Sequence, residues 1–368
     1  MNILEQMAVH DHEQVIAFQN RETGLRGFLA IHDTTLGPAL GGVRLWRYAS
    51  EDEALDDALR LSRGMTYKAA ISELPCGGGK AVILLHDGLK RAEAFEAYGQ
   101  MVESLRGRFF TGRDVGITDE DLAAIARITK YVALEPDPRL GDISEHTAIG
   151  VWHGMRACLE FADFARSRKN IRVAIQGVGS VGMTLARILK REGMEMVVAD
   201  VNGERAKQAA TELGARVVPP EEILSVPCDV LAPCALGGAI SVKMIPRLQA
   251  RIVCGCANNV LATPEAGEEL ARRGILYAPD YLVNAGGLIR GAEYFLLGRA
   301  DSLASLERIH ERMLRVLELA RERGASTARV ADELAEARLK KGKTFRDLHW
   351  GAEANSATGH AKARVLPP

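Results

Sequence analysis

The segment IRVAIQGVGSVGMTLARILKREGMEMVVADVN, from Ile171 to Asn202, constrains this chain more than any other stretch. An apolar strand runs into a turn holding Gly177, Gly179 and Gly182, a helix follows, and a second apolar strand ends at Asp200. Glycines alone mark ordinary turns. Between a strand and a helix they form the fingerprint of a dinucleotide-binding βαβ unit. The first glycine allows the tight turn, the second lets backbone approach a pyrophosphate, and the third allows close helix–strand packing with the anion on the helix N-terminus. Asp200 stands about 20 residues beyond the turn, where a carboxylate accepts from ribose hydroxyls. A carboxylate there repels a 2′-phosphate, so the segment predicts NAD rather than NADP. Arg205 is the one nearby side chain suited to the phosphate.

The strand-like segments CDVLAPCA, ARIVCGCA and ILYAPDYLVNAGG follow, separated by helical or loop sequence. That alternation predicts a parallel sheet with helices on both faces. Before it, residues 12–31 read as two strands around the turn ETG, and Ser50 as the N-cap of a helix with an acidic first turn. AVILL reads as a buried strand, LKRAEAFEAYGQMVESLRG as a helix, and RFFTGRDVGIT as a strand ending in a polar loop. ALEPDPRLGDISEHT, rich in turn formers, is the best linker, with the next helix opening at AIGVWHG. Residues from about 299 to 340 read as one long charged helical stretch.

A chain of 368 residues can hold two cores. The expected fold is α/β: residues 1–145 form a substrate-binding domain completed by C-terminal helices at about 330–350, and residues 146–329 form a Rossmann-type NAD-binding domain. The site lies in the cleft between them, and the tail 351–368 is expected to be mobile.

The formal net charge is −1 with 26% charged residues, which leaves no basic surplus for nucleic acid or an anionic membrane. No apolar run approaches the roughly 20 residues that span a bilayer, and MNILEQMAVHDHEQ lacks the pattern of a signal peptide. Of the six cysteines only Cys254 and Cys256 stand close, as C-x-C, without a His pair at metal-ligand spacing. They read as reduced core thiols. A cytoplasmic protein without a metal site is expected.

Two lysines remain, Lys68 and Lys80, in the apolar stretch MTYKAAISELPCGGGKAVILL. Burying an unpaired ammonium is costly. Lys68 could complement a helix C-terminus, and Lys80 could snorkel from the strand. A phosphate loop is excluded, since Leu74 stands where its first glycine belongs and Ala81 replaces its Ser or Thr. The stretch alone leaves solvated lysines and a site equally open. His146, His153 and the cluster Glu51, Asp52, Glu53 read as ordinary helix residues.

GPALGGVRLW, RLSRGMTYKAA, PCGGGKAV, TGRDVGI, GVGSVG, APCALGG, CANN and APDYLVNAGG occur in this order, and through them the sequence resembles the amino-acid dehydrogenases acting on glutamate, leucine, valine and phenylalanine. The resemblance runs over nearly the whole chain. It implies that Lys68 binds the substrate α-carboxylate, that Lys80 is catalytic, and that Asp114 is its proton-transfer partner. A lysine exchanges protons near neutrality only where desolvation or a neighbouring cation lowers its pKa. The substrate side would comprise Leu40, Gly41, Gly42, Met65, Gly112, Asn258, Leu288 and Gly291. The NAD side would add Val181, Val201, Ala235, Leu236, Ala257, Asn258 and Asn284 to the glycines and Asp200. The implied reaction is reversible oxidative deamination, with ammonium as a substrate of the reverse direction, in a cleft hinged near 141–150 and 325–335. Family members are homo-oligomers.

Glutamate-specific members carry a lysine where this chain has Leu40, so an acidic substrate is disfavoured. Gly112 and Leu288 match the phenylalanine-type pattern rather than the leucine-type Ala and Val, and Gly291 removes another side chain. One methylene discriminates only on the order of 10–200-fold, so a large or aromatic substrate is expected and a branched-chain one is the alternative. The loop LGDISEHTAIGV, with Glu145 and His146, and the charge of Arg290 in the pocket segment depart from the pattern. A 2-hydroxy-acid dehydrogenase would need a His–carboxylate pair and an Arg for the substrate carboxylate. A silent NAD-binding regulator would have no use for the lysines.

Overall fold

A computed structural model describes residues 2–133, 142–163, 171–235, 237–299 and 301–353, with side chains through 342. The first part of the chain forms α1 (Ile3–His10), β1 (Gln14–Asn20), β2 (Leu25–Asp33), β3 (Ala39–Leu40), β4 (Val43–Trp46), α2 (Glu51–Ile71), β5 (Gly77–Leu84), α3 (Arg91–Ser104), β6 (Phe109–Phe110) and α4 (Asp119–Ala126). Its strands pair in the order β1-β2-β5-β3-β6, with β4 also on β5. β1, β2 and β5 run antiparallel, whereas β3 and β4 run parallel to β5 at its two ends. Both lie along the edge of β5 opposite β2, and where the chain steps from one to the other a side chain has no room. A Cβ on Gly41 would lie 1.7 Å from Gly79 O, and one on Gly78 would lie 2.1 Å from Thr66 N in α2. Ser50 caps α2, its Oγ accepting from Glu53 N at 3.1 Å.

α5 (Ile143–Phe161) leads into β7 (Arg172–Gln176), α6 (Ser180–Arg191), β8 (Glu195–Ala199), α7 (Gly203–Leu213), β9 (Arg216–Val217), β10 (Val230–Pro233), β11 (Ile252–Val253), α8 (Pro264–Arg272) and β12 (Leu276–Tyr277). The second sheet is wholly parallel, in the order β12-β11-β10-β7-β8-β9. From β7 the chain runs outward to β9, then returns to β10 on the other side. That reversal opens a crevice beyond the C-terminal ends of β7 and β10, the usual ligand position in such sheets. Short α9 (Asp280–Val283), then α10 (Gly286–Leu297), α11 (Leu303–Arg323) and α12 (Thr327–Glu353) complete the chain.

Several sequence expectations change. RFFTGRDVGIT is strand only at Phe109–Phe110, because its glycines and charges continue as loop. The helix expected from AIGVWHG starts at Ile143, since Asp142 caps it by accepting from Ser144 N at 2.7 Å. Glu145 and His146 thus belong to the first turn of α5 and not to a loop. ILYAPDYLVNAGG is strand only over Leu276–Tyr277, Pro279 ending the run before α9. The single helical stretch from about 299 is two helices, α11 ending in left-handed Gly324 at φ +60°. The residues beyond 353 lie outside the described part.

α12 returns to the first sheet's side. Tyr67 donates to Glu336 at 2.7 Å, and Arg338 donates to Ala70 O and Leu74 O at 3.0 and 3.2 Å. Apolar packing is continuous across the junction, joining Leu40, Ala69 and Leu74 to Ala285, Ile289 and Leu306.

Because the obstacle at Gly78 is main chain, Gly78→Ala is expected to cost about 1–3 kcal/mol through overpacking. Gly64→Ala in α2 meets nothing within 4 Å, and should gain roughly 0.5–1 kcal/mol of helix propensity. Urea denaturation of both variants checks the pair.

Candidate active site

Lys68 comes from the last turn of α2 and Lys80 from the middle of β5, the close packing at Gly78 bringing helix and strand together. Both lysines line a cavity of about 410 Å³ between the two sheets. Lys80 is buried, and its Nζ lies 2.6 Å from Asp114 Oδ2. The same oxygen accepts from Arg44 Nε at 3.0 Å. Arg44, on β4, also donates to Asp57 at 2.8 Å, and Tyr48 donates to Asp57 at 2.7 Å. Burial alone would raise the Asp114 pKa, but Lys80 and Arg44 outweigh it and hold it at about 2.

Lys68 reaches across the cleft, donating to Asn258 Oδ1 at 3.2 Å. Its pKa is lowered to about 8, first by burial, against the opposing pull of Asp280 and with help from Lys80. Asn258 is held in turn by Asn284, whose Nδ2 donates to Asn258 Oδ1 at 3.0 Å and to Cys256 O and Ala257 O at 3.2 Å. Asn284 Oδ1 is buried without a partner among the described residues, an acceptor pointing to a missing donor.

The cavity gathers Leu40, Gly41, Gly42, Met65, Gly112, Val181, Asn258, Asn284, Leu288 and Gly291 with the two lysines and Asp114. The other dinucleotide residues stand apart, around the crevice of the second sheet. Gly177 has φ +93°, and a Cβ on Gly182 would meet Gly177 O at 2.2 Å, so both glycines are required by shape. A Cβ on Gly179 would have only Arg205 Nη1 nearby, at 3.9 Å, leaving the backbone open to an anion at the start of α6. Asp200 braces the turn, accepting from Val178 N at 2.8 Å. These features fit a dinucleotide. Val201 is exposed and Ala235 packs against Gly177, while buried Ala257 offers only its backbone. Leu236 lies outside the described residues.

Sequence reasoning missed Arg44, whose role depends on the fold bringing β4 beside Asp114. It also missed the cavity walls Phe110, Ala133, Thr147 and Phe295. Arg290 proves to be a structural cation, fully buried, donating to Arg299 O at 3.0 Å. Size alone would mislead, since a hollow of about 920 Å³ between α2, α11 and α12 contains none of these residues.

A Rossmann-type sheet facing paired lysines defines a class, the two-domain nucleotide-dependent dehydrogenases. Family models described as "Glu/Leu/Phe/Val dehydrogenase, dimerisation domain" and "Glutamate/Leucine/Phenylalanine/Valine dehydrogenase" match residues 12–133 and 199–335. Leucine dehydrogenase of Geobacillus stearothermophilus is 43% identical over 92% of this chain and 94% of its own. Phenylalanine dehydrogenase of Bacillus thermotolerans is 42% identical over 90% and 89%. The crystal structure of L-tryptophan dehydrogenase from Nostoc punctiforme superposes with a TM-score of 0.78 at 40% identity, covering 93% of this chain and 99% of that one. The chain belongs to the Glu/Leu/Phe/Val dehydrogenase family and is an amino-acid dehydrogenase. No helix among the described residues is long and apolar enough to cross a membrane.

Below pH 8 the folded protein holds a charged Lys68 in poor solvent, a penalty relieved as the pH rises from about 8 to its ordinary value of 10.5. Lys68→Met should therefore melt at a higher temperature than the parent at pH 7, the gap narrowing across that window. Its KM for the amino acid should rise roughly 10–100-fold, the worth of a charge-assisted hydrogen bond. Calorimetry and steady-state kinetics read the two effects.

Proposed function

We propose that the protein catalyses the reversible NAD-dependent oxidative deamination of a large hydrophobic, phenylalanine-like L-amino acid to its 2-oxo acid and ammonia. The observation that carries this reading is the Lys80–Asp114 pair at 2.6 Å in a cavity shared with Lys68. With a pKa of about 8, Lys68 remains largely an ammonium at neutral pH and can anchor the α-carboxylate. NAD, held by Gly177, Gly179, Gly182 and Asp200, supplies the hydride acceptor. Asn258 and Asn284 would bound the nicotinamide side, Asn284 Oδ1 being an acceptor without a partner among the described residues.

Once the substrate is an iminium, Lys80 orients the water that attacks its carbon. The proton leaving that water passes along the Lys80–Asp114 pair as the carbinolamine releases ammonia. In the reverse direction a cationic Lys80 polarises the 2-oxo oxygen. Closure of the domains about the segments near 141–150 and 325–335 would exclude bulk water from the iminium. In this reading residues 1–145, with α12, form the substrate domain, and 146–329 the NAD domain. Asp200 favours NAD over NADP.

The side-chain end of the cavity supports the substrate class. Leu40, Phe110, Leu288 and Phe295 are apolar, and a Cβ on Gly291 would meet nothing within 4 Å. The nearby Arg113 is engaged with Ile117 O and Asp119, so it offers no ready partner to an acidic side chain. A homo-oligomer is supported by the matched dimerisation domain. A cytoplasmic location is supported by six unpaired cysteines.

NADH oxidation should require ammonium and a 2-oxo acid, with phenylpyruvate or indolepyruvate preferred over 4-methyl-2-oxopentanoate, 3-methyl-2-oxobutanoate and 2-oxoglutarate. Lys80→Ala should lose about 10²–10⁴ in kcat. Turnover without ammonium, or a best substrate of 2-oxoglutarate, would sink the proposal. In a second test, Gly291→Ala combined with Gly112→Ala should lower the aromatic-to-branched kcat/KM ratio by about tenfold or more. An unchanged ratio would mean that other residues set the preference.

A further inference from the structure

Cys234 and Cys256 have no part in the chemistry above. They leave the C-terminal ends of the adjacent parallel strands β10 and β11, which pair Val230 with Ile252 and Leu231 with Val253. Past the strand ends that register slips by one residue, since Leu231 O accepts from Cys254 N but Pro233 O from Ala257 N. Cys234 and Cys256 flank that last cross-strand bond, Ala257 N donating to Pro233 O at 3.0 Å. Neighbouring strands lie about 4.7–4.9 Å apart, within the usual span of a disulfide. The two side chains interact, their contact lowering the Cys234 thiol's pKa and raising that of Cys256. Both are partly accessible, and Cys256 lines the active-site cavity, whereas Cys76, Cys158 and Cys254 are fully buried. Cys254, between them in sequence, points elsewhere, its Sγ lying 3.8 Å from Val151 O.

We propose that Cys234 and Cys256 are a reversible modification site, joined by hydrogen peroxide into a disulfide that switches the active site off. The Cys234 thiolate attacks one peroxide oxygen, forming a sulfenic acid and releasing hydroxide, which takes up a proton to become water. The Cys256 sulfur then attacks the sulfenic sulfur, closing the S–S bond. Its thiol proton leaves with the displaced hydroxyl as a second water. Two thiols lose two electrons, and the peroxide gains them.

The pair sits where a small contraction is felt. Cys256 O accepts from Asn284, Asn284 holds Asn258, and Asn258 accepts from Lys68. On the other side, Cys234 Cβ lies 3.3 Å from where a Cβ on Gly182 would be, directly under the dinucleotide turn. Drawing the sulfurs to about 2.05 Å therefore moves both the asparagine relay and the floor of the glycine turn.

The test treats the full-length reduced protein with hydrogen peroxide, alkylates remaining thiols and maps the peptides by mass. A Cys234–Cys256 cross-link about 2 Da lighter than the reduced pair is expected. Its formation should track a roughly 10–100-fold loss of activity, and dithiothreitol should restore both. Cys234→Ser and, separately, Cys256→Ser should each abolish the cross-link. Each variant's activity, relative to its own untreated value, should no longer show the dithiothreitol-reversible loss. The proposal is overturned if both thiols stay alkylatable, if either is joined to another cysteine, or if the bridge forms without loss of activity. The cross-link is read by mass, so failure of the amino-acid assay would be seen separately, in the untreated protein.

Discussion

The site depends on how closely backbone can approach backbone across β5. Lys68 is on a helix and Lys80 on a strand, and they share a cavity because Gly78 lets α2 lie directly against the strand. Gly41 lets the chain lie directly against Gly79 O as β3 gives way to β4. That run along β5 also brings Arg44 to Asp114, so one carboxylate oxygen meets two cations rather than one. The charges are therefore a product of the packing. Loosening these glycine contacts would separate both the lysines and the Arg44–Asp114–Lys80 chain.

Electrostatics then separate the roles of the two lysines. Lys80 has a carboxylate in contact. Lys68 has a neutral amide and a more distant Asp280, itself pushed upward by burial. A group with a carboxylate in contact is suited to exchanging protons along that contact. A group poor in counter-charge is suited to receiving a charged ligand, which supplies what burial removed. The division follows from what each ammonium touches.

The elements that could be read from sequence were those specified locally. The glycine turn between β7 and α6, the Ser50 cap and the apolar run of β5 each carry their cause within a few neighbouring residues. Arg44 carried no such sign, because an arginine in VRLW looks like any outward-facing strand residue until β4 is laid beside Asp114. Phe110 and Phe295 become one wall only when the two domains meet, their rings 5.7 Å apart. Arg290 misled in the opposite direction. It lies within the pocket segment, but the helical turn directs it to Arg299 O and away from the cavity. The early start of α5 turned on Asp142, a single cap residue inside what reads as a linker.

The glycines of the site fall into two kinds, and the difference bears on how such a protein can change over generations. At Gly41, Gly78 and Gly182 an added methyl collides with main chain, so those positions are closed to gradual drift. At Gly291 it would enter empty space, and at Gly112 it would meet only the Ala133 methyl, at 3.2 Å. Substrate range can thus be revised one carbon at a time by mutations that leave the catalytic frame untouched. A lineage carrying this architecture has freedom in what it accepts and very little in how it reacts.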